Sequence, residues 1–277
     1  MRMIIILALL LAGLVAGCSS KRSDREQVVA GFYPLAYAAE QVGGSRVDVK
    51  NLTPAGAEPH DLELTPSAVR KIHDADLVLL LGHGFQPQVE AAARDATGRV
   101  LTLLDTPGLR RRDDDPHVWL DPTRYALLVR VVGRALHGRP GAGRLEQRLR
   151  ALDRMYTSDL SDCSRREIVT SHAAFGYLAE RYGLEQISIE GLSPEAEPSP
   201  RELARVAAIV QARHVTTVYF ETLVSPKLAA TLARETGTKT AVLDPLEGLT
   251  PKAIEAGANY FSVMRANLRN LRRGLGC

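Results

Sequence analysis

Three histidines and one aspartate occupy settings that suit a metal ion. His60 lies in "TPAGAEPHDLELTP", His117 in "DPHVWLDP", His172 in "IVTSHAAFGYLAERYGL" and Asp244 in "AVLDPLEG". A proline precedes His60 and another precedes His117, and each proline restricts the backbone that presents the imidazole. Three imidazoles and one carboxylate suit a divalent transition metal, with zinc as the first choice. We therefore predict that these four side chains are the ligands of a metal centre.

The remaining histidines fit structural roles better than metal binding. His73 falls within a predicted helix, His137 at a helix end and His214 in a loop. His83, in "LGHGF", follows an apolar run and is an outside candidate. A structural role is also the alternative for each of the three predicted histidine ligands taken alone, because spacings this long in the sequence cannot exclude it.

Two further carboxylates and one aromatic side chain could belong to the same centre. Glu221 ends an apolar run, as Asp244 does, so Glu221 is either the carboxylate ligand itself or a group that supports a ligand. Glu58 is a third carboxylate, separated from His60 by a proline. Trp119 either packs beneath the metal as apolar support or is an ordinary core residue.

Short apolar runs that alternate with helical patterns predict the elements that carry these residues. The first half of the chain has such runs at 27–32, 46–52, 75–82 and 99–105, and the second half at 166–171, 186–192, 215–221 and 239–244. Runs rich in Val and Leu, bounded by turn residues, are typical of parallel strands. The sequence therefore predicts an α/β protein of two lobes, each with a four-stranded, mainly parallel sheet flanked by helices.

The predicted ligands all follow strands, which explains how they could meet. In open α/β sheets, ligands bind beyond the carboxyl ends of the strands. His60 and His117 come from the first half, while His172 and Asp244 come from the second half. A cleft between the two lobes would bring all four together.

Helix boundaries are clearly marked in the sequence. A capping side chain precedes a proline at Thr65, Asp121, Ser199, Ser225 and Thr250, and this pair is typical of a helix start. The predicted helical segments include 34–43, 66–75, 86–96, 173–182, 200–213, 226–236 and 251–272. Residues 142–163 carry an apolar stripe and predict one long connecting helix. We expect an N-terminal lobe at 27–138, the connecting helix at 139–163 and a C-terminal lobe at 164–277.

The first residues predict export and a lipid anchor. Residues 1–17, "MRMIIILALLLAGLVAG", have the pattern of a signal peptide. The stretch "VAGC" that ends at Cys18 resembles a bacterial lipobox, in which the cysteine is acylated; an ordinary signal peptide is the alternative. Residues 18–26 would form a lipidated tether. Loss of Arg2 with the signal lowers the formal net charge from +3 to +2, a balance that predicts no nucleic-acid partner.

The two remaining cysteines could form a disulfide bond. Export would place Cys163 and Cys277 in an oxidising compartment, where a bond is plausible. The alternative is two unpaired thiols, and an exposed thiol at the C-terminus would be a liability. We therefore predict the bond.

The mature chain resembles the metal-binding solute receptors of bacterial ABC importers, the zinc and manganese receptors of the ZnuA/TroA-like group. The matching stretches are "GAEPHDLELTPS", "DPHVWLDP", "SHAAFGYLAERYGL", "EGLSPEAEPSP" and "ETLVSPKLAATLARETGTKTAVLDPL", in the order that the family has them. The resemblance implies two α/β lobes, a long rigid helix between them, one metal ion in the cleft and an ABC permease as partner. It places the ligands at His60, His117, His172 and Asp244.

The resemblance also bears on the choice of metal. Zinc receptors of this kind tend to have histidine at the third ligand position, where manganese receptors tend to have glutamate; this sequence has His172. Many zinc receptors carry a long histidine-rich loop before the second ligand, but here that place holds "GLRRRDDD", which we expect to be an exposed loop. Manganese binding or broad specificity is therefore the alternative to zinc.

We expect a monomeric zinc-binding receptor without enzymatic activity, lipid-anchored on the outer face of the cytoplasmic membrane. A zinc hydrolase would need an open coordination position and a base, and the chain has no HExxH pattern. A surface adhesin is a further alternative, but no feature of the sequence favours it.

Overall fold

The computed structural model describes residues 25–138, 140–193 and 198–277. The predicted signal peptide and Cys18 lie outside the described residues. Within those residues, strands β1 to β8 span Glu26–Ala30, Val47–Asn51, Leu77–Leu80, Arg99–Thr102, Glu167–Thr170, Glu185–Ser188, Thr217–Phe220 and Lys239–Val242. Helices α1 to α10 span Tyr33–Gly43, Pro66–Asp74, Pro87–Ala92, Pro122–Ala135, Gly141–Asp159, Gly176–Tyr182, Pro200–Ala212, Lys227–Thr236, Pro251–Glu255 and Tyr260–Leu275.

Two four-stranded sheets of the same topology form the two lobes. The first sheet has the strand order β2-β1-β3-β4 and the second has the order β6-β5-β7-β8. All pairings in both sheets are parallel. Strand β3 is buried along its whole length, as expected for a strand covered by helices on both faces. The predicted α/β fold with two parallel sheets is confirmed.

Most helix starts follow the predicted caps. The side chains of Thr65, Asp121, Ser199 and Thr250 each accept a hydrogen bond from a backbone N–H of the first helical turn. Ser225 differs in its position, because Pro226 occupies the cap position of α8, but the hydroxyl of Ser225 still accepts from the N–H of Lys227, the first residue of that helix, at 3.4 Å.

The predicted helix over 251–272 is interrupted. It divides into α9 and α10, and the break contains Gly257, whose φ of +74° is incompatible with a continuing right-handed helix. Asn259 then caps α10 through a reciprocal capping box with Ser262. The prediction of one continuous helix was therefore wrong.

The connecting helix α5 packs against α10, and α10 also reaches the first lobe. Tyr156 of α5 donates a hydrogen bond to the carbonyl oxygen of Met264 at 2.6 Å. Tyr260, the first residue of α10, packs on Tyr125 of α4 with ring centroids 4.7 Å apart. Its hydroxyl donates to the carbonyl oxygen of Trp119 at 2.7 Å. These contacts tie both lobes to two long helices.

A disulfide bond closes the end of the chain. Cys163, which follows α5, is bonded to Cys277, as predicted. The bond fixes the C-terminus beside the start of the second sheet, where the N–H of Arg165 donates to the carbonyl oxygen of Leu275 at 3.1 Å. Among the described residues, the helices are too short or too polar to cross a bilayer.

Candidate metal centre

Three histidines and one glutamate converge where the two lobes meet. His60 follows β2, His117 follows β4, His172 follows β5 and Glu247 follows β8. The four candidate ligand atoms all lie within 4.8 Å of one another. His117, His172 and Glu247 are at most 1% exposed. The parallel topology produces this cluster, because it collects the carboxyl ends of both sheets around one cleft.

The spacing of the ligand atoms suits a tetrahedral metal ion. Glu247 Oε1 lies 3.1 Å from His60 Nε2, 3.0 Å from His117 Nε2 and 3.5 Å from His172 Nε2. The Nε2 atoms of His117 and His172 are 3.4 Å apart. Zinc bonds of about 2.0–2.1 Å in a tetrahedron place neighbouring ligand atoms about 3.3 Å apart. These four separations are therefore close to those of a four-coordinate zinc site, and all six lie within 4.8 Å.

Two carboxylates orient the buried imidazoles. Asp115 Oδ1 lies 2.8 Å from His117 Nδ1, and Glu221 Oε1 lies 2.7 Å from His172 Nδ1. A carboxylate at Nδ1 holds the proton there and leaves Nε2 free to bind a metal. Glu221 thus takes the supporting role that was one of its two predicted alternatives.

The charges around the cluster are strongly coupled. Burial works to lower the pKa of His117, but hydrogen bonds to Asp115 and Glu247 outweigh it and raise that pKa. Burial also works to lower the pKa of His172. Hydrogen bonds to Glu221 and Glu247 outweigh this effect and raise that pKa well above its usual value. Burial would raise the pKa of Glu247, but hydrogen bonds from the three histidines lower it well below its usual value. Protons thus link these groups in the metal-free protein, and a divalent cation would displace them.

Two buried carboxylate oxygens at the cluster lack a hydrogen-bond partner within the described part of the chain. Among the residues that the structure describes, the buried Oε2 atoms of Glu58 and Glu247 make no hydrogen bond. Burial, followed by the nearby charge of Glu247, raises the pKa of Glu58 to about 9. A buried oxygen without a partner is costly, and a cation bound beside Glu247 would remove that cost.

Aromatic side chains form one wall of the cluster. Phe85 packs edge-on against His60 with ring centroids 4.6 Å apart. Trp119 lies 5.1 Å from the ring of His117, and its indole N–H donates to the carbonyl oxygen of Pro245 at 2.7 Å. Trp119 is fully buried, so it is a core residue that also supports the centre.

The structure corrects the predicted carboxylate ligand, because Asp244 does not lie with the three histidines. Its Oδ2 accepts a hydrogen bond from Thr222 Oγ1 at 2.6 Å, and its Oδ1 accepts from the N–H of Leu246 at 2.7 Å. Asp244 therefore closes the turn after β8, in which Leu246 has a φ of +59°. That turn carries the chain around and brings Glu247 to the cluster.

The other histidines lie outside the cluster, as expected. His83 bonds to Asp105 at 2.7 Å and accepts from Arg111 at 3.0 Å, on the exposed edge of the first lobe. His73, His137 and His214 are exposed. None of these four belongs to the group that could hold a metal ion within the described residues.

Comparison with known proteins agrees with this arrangement. The sequence profile of the family described as "ZnuA: Zinc-uptake complex component A periplasmic" matches residues 28–274. The chain belongs to the ZnuA family. The zinc-binding protein AdcA of Streptococcus pyogenes is 36% identical over 284 residues, which cover 89% of this chain and 55% of AdcA. The chain thus spans about half the length of that relative.

Two further ZnuA-like proteins match over nearly their whole length. The high-affinity zinc uptake system protein ZnuA of Bacillus subtilis is 31% identical over 288 residues, covering 94% of this chain and 90% of that protein. The crystal structure of the Zn(II)-bound ZnuA-like domain of Streptococcus pneumoniae AdcA superposes with a TM-score of 0.79 at 36% identity, covering 91% of this chain and 100% of the other. The two-lobe fold is therefore that of the ZnuA family.

Proposed function

We propose that this protein is an extracytoplasmic receptor that captures zinc between its lobes and delivers it to an ABC permease. The observation that carries the proposal is the convergence of His60, His117, His172 and Glu247, two from each lobe, in one buried cluster. A metal bound there would join the lobes directly. Because α5 and α10 both contact the first lobe, we expect a small tilt of the lobes on binding.

The donor set favours zinc over manganese. Zinc accepts four ligands and gains from imidazole nitrogen, whereas manganese prefers oxygen ligands and a higher coordination number. Three of the four donors here are imidazoles, and the four ligand-atom separations of 3.0–3.5 Å are close to those of a zinc tetrahedron. Each of the two most deeply buried histidines has its Nδ1 occupied by a carboxylate, which strengthens Nε2 as a zinc ligand.

A receptor role accounts for the cluster better than a hydrolytic one. A catalytic zinc site keeps one coordination position open for water. Here four side chains surround the metal position, and three of them are at most 1% exposed. The arrangement supports holding and releasing an ion, without a place for a substrate beside it.

We propose that acylation of Cys18 anchors the mature protein to the outer face of the membrane, where it works as a monomer beside its permease. The substitution Cys18→Ser should block lipid attachment and release the protein into the medium or the periplasm. Cell fractionation with an antibody against the protein measures this. Unchanged membrane association of the variant would refute acylation at that residue.

Metal titration tests the function. Metal-free protein should bind one zinc ion, with higher affinity than manganese, in a competition against a chelator of known affinity. Deletion of the gene should impair growth under zinc limitation, and added zinc should restore it. A protein that binds neither ion, or that prefers manganese, would contradict the proposal.

A further inference from the structure

The segment before His117 is exposed at residues 110–114, as predicted, but it also contacts the second lobe. The backbone N–H of Arg112 donates to the hydroxyl oxygen of Tyr177, in helix α6, at 2.8 Å. That hydroxyl in turn donates to the carbonyl oxygen of Asp115 at 3.2 Å. Arg112 Nη1 lies 2.8 Å from Glu180 Oε2, one turn further along α6. Both the backbone and the side chain of this segment therefore hold the second lobe.

A second arginine reinforces this contact from helix α4. Arg124 Nη2 lies 2.8 Å from Glu180 Oε1, so each carboxylate oxygen of Glu180 binds one arginine of the first lobe. The guanidinium of Arg124 also lies 4.8 Å from the ring centre of Tyr177. Hydrogen bonds from Arg112 and Arg124 lower the pKa of Glu180, so it is charged at neutral pH.

This interlobe contact is connected to the metal centre through Asp115. Asp115 Oδ1 accepts from the backbone N–H of His117 at 2.9 Å and binds its Nδ1 at 2.8 Å. Arg112 Nε lies 3.7 Å from the other oxygen of the same carboxylate. The fit against α6 is tight, because a Cβ atom at Gly176 would lie 2.5 Å from Asp115 Oδ2. A short chain of contacts thus runs from Glu180 to His117.

We propose that Arg112, Asp115, Arg124, Tyr177 and Glu180 form an interlobe latch that positions His117 and slows release of the metal. The latch rests on the proposed receptor function, because it acts on the bound ion. If the lobes separate to release the ion, the two arginine pairs of Glu180 must break together with the contacts of Asp115. Arg112, Arg124, Tyr177 and Glu180 are positioning residues, since each acts on His117 through Asp115.

The first test needs no metal. Hydrogen–deuterium exchange of the metal-free protein should become faster in the peptide that contains residues 110–121 when Glu180→Gln breaks the latch. The matched control is Glu185→Gln, which removes an exposed glutamate that pairs with Arg213 inside the second lobe. Exchange that is unchanged in Glu180→Gln, or equally raised in Glu185→Gln, would overturn the latch whether or not the protein binds zinc.

The second test measures release of the ion from the zinc-loaded protein by mixing with excess chelator. We expect the dissociation rate to rise about threefold to fivefold in Glu180→Gln, because the substitution weakens two ion pairs at the surface and each such pair is worth little. In Arg112→Ala it should rise about tenfold, because Asp115, which orients the ligand His117, loses its arginine partner. Gly176→Ala changes no charge but displaces Asp115, and it should also speed release and shift the visible spectrum of bound Co²⁺.

The two proposals fail in different ways. A wild-type protein that binds no zinc would refute the receptor function, while the exchange experiment would still decide whether the latch exists. Wild-type dissociation rates in Glu180→Gln, Arg112→Ala and Gly176→Ala, with zinc bound normally at equilibrium, would refute the latch alone. Thermal unfolding of each metal-free variant checks that it folds.

Discussion

Replacing the carboxylate of Glu247 should separate the metal-binding role of this residue from that of Asp244. Glu247→Gln keeps the size of the side chain but removes a negative charge that lies 3.0–3.5 Å from three histidine nitrogens. Removing one partner of a buried charge pair costs about 3–5 kcal/mol. At about 1.4 kcal/mol for each factor of ten, zinc affinity should fall at least a hundredfold.

Asp244→Asn is the matched control, because Asp244 is also buried and lies only three residues away. Its carboxylate binds Thr222 and the N–H of Leu246 instead of the histidines. Asparagine keeps an oxygen that can accept from Leu246, so the turn that presents Glu247 should persist. We expect this variant to lose less than about tenfold in zinc affinity, since it removes no metal ligand.

The assay combines a competitive zinc titration with thermal unfolding of metal-free and zinc-loaded protein. Zinc at a thousand times the wild-type Kd stabilises the folded state by about 4 kcal/mol, and a hundredfold loss of affinity leaves about 1.4 kcal/mol of this. If Asp244→Asn weakens zinc binding more than Glu247→Gln does, the assignment of Glu247 as the carboxylate ligand is wrong.

Three further predictions concern pH, selectivity and the disulfide bond. Because the pKa values of His117 and His172 are raised above the ordinary 6.5, zinc affinity should already decline as pH falls through values above 6.5. The metal-free protein should show the opposite trend and lose stability as pH rises through the raised pKa values. Thermal unfolding across this pH range, with and without zinc, measures both trends, and two curves of the same slope would contradict the prediction. His172→Glu should narrow the preference for zinc over manganese. The effect should be clearest together with Glu221→Gln, since Glu221 lies against position 172 and would repel a second carboxylate. Competition titrations of both ions with the single and double variants measure this, and an unchanged ratio of zinc to manganese affinity would contradict it. Changing both Cys163 and Cys277 to serine removes a disulfide bond that joins residues 114 positions apart in the sequence. The free energy of unfolding should fall by about 4–5 kcal/mol in the chain-entropy account. Urea unfolding measures this, and equal midpoints for the variant and the oxidised wild type would contradict it.

Local rules in the sequence explain why so much of the fold could be predicted. All eight strands lie within or across the predicted apolar runs. A strand covered on both faces must be apolar along its length, and β3 is such a strand. The edge strands β2, β4, β6 and β8 are partly exposed and carry polar residues, but they still lie in or beside short apolar runs. Capping is equally local: the hydroxyl of Thr65 and the N–H that it binds are three residues apart. One error also has a local cause. At 251–272 the periodic pattern concealed Gly257, whose left-handed backbone ends one helix before Asn259 begins the next.

The sequence by itself indicated which histidines meet, because each of the three follows a strand and lies in a stretch that resembles the metal receptors. His83 also follows a strand, and only the structure places it outside the cluster. The sequence could not determine which carboxylate completes the group. Asp244 comes first after β8 and was the natural choice, but its side chain closes a turn through Leu246. Glu247, three residues later, reaches His60, His117 and His172 only because that turn reverses the chain. The role of Arg112 likewise depends on Glu180, which the sequence places 68 residues away. Contacts of this kind are decided by the packing of one lobe on the other, since periodicity and spacing report only on neighbours within a few residues along the chain.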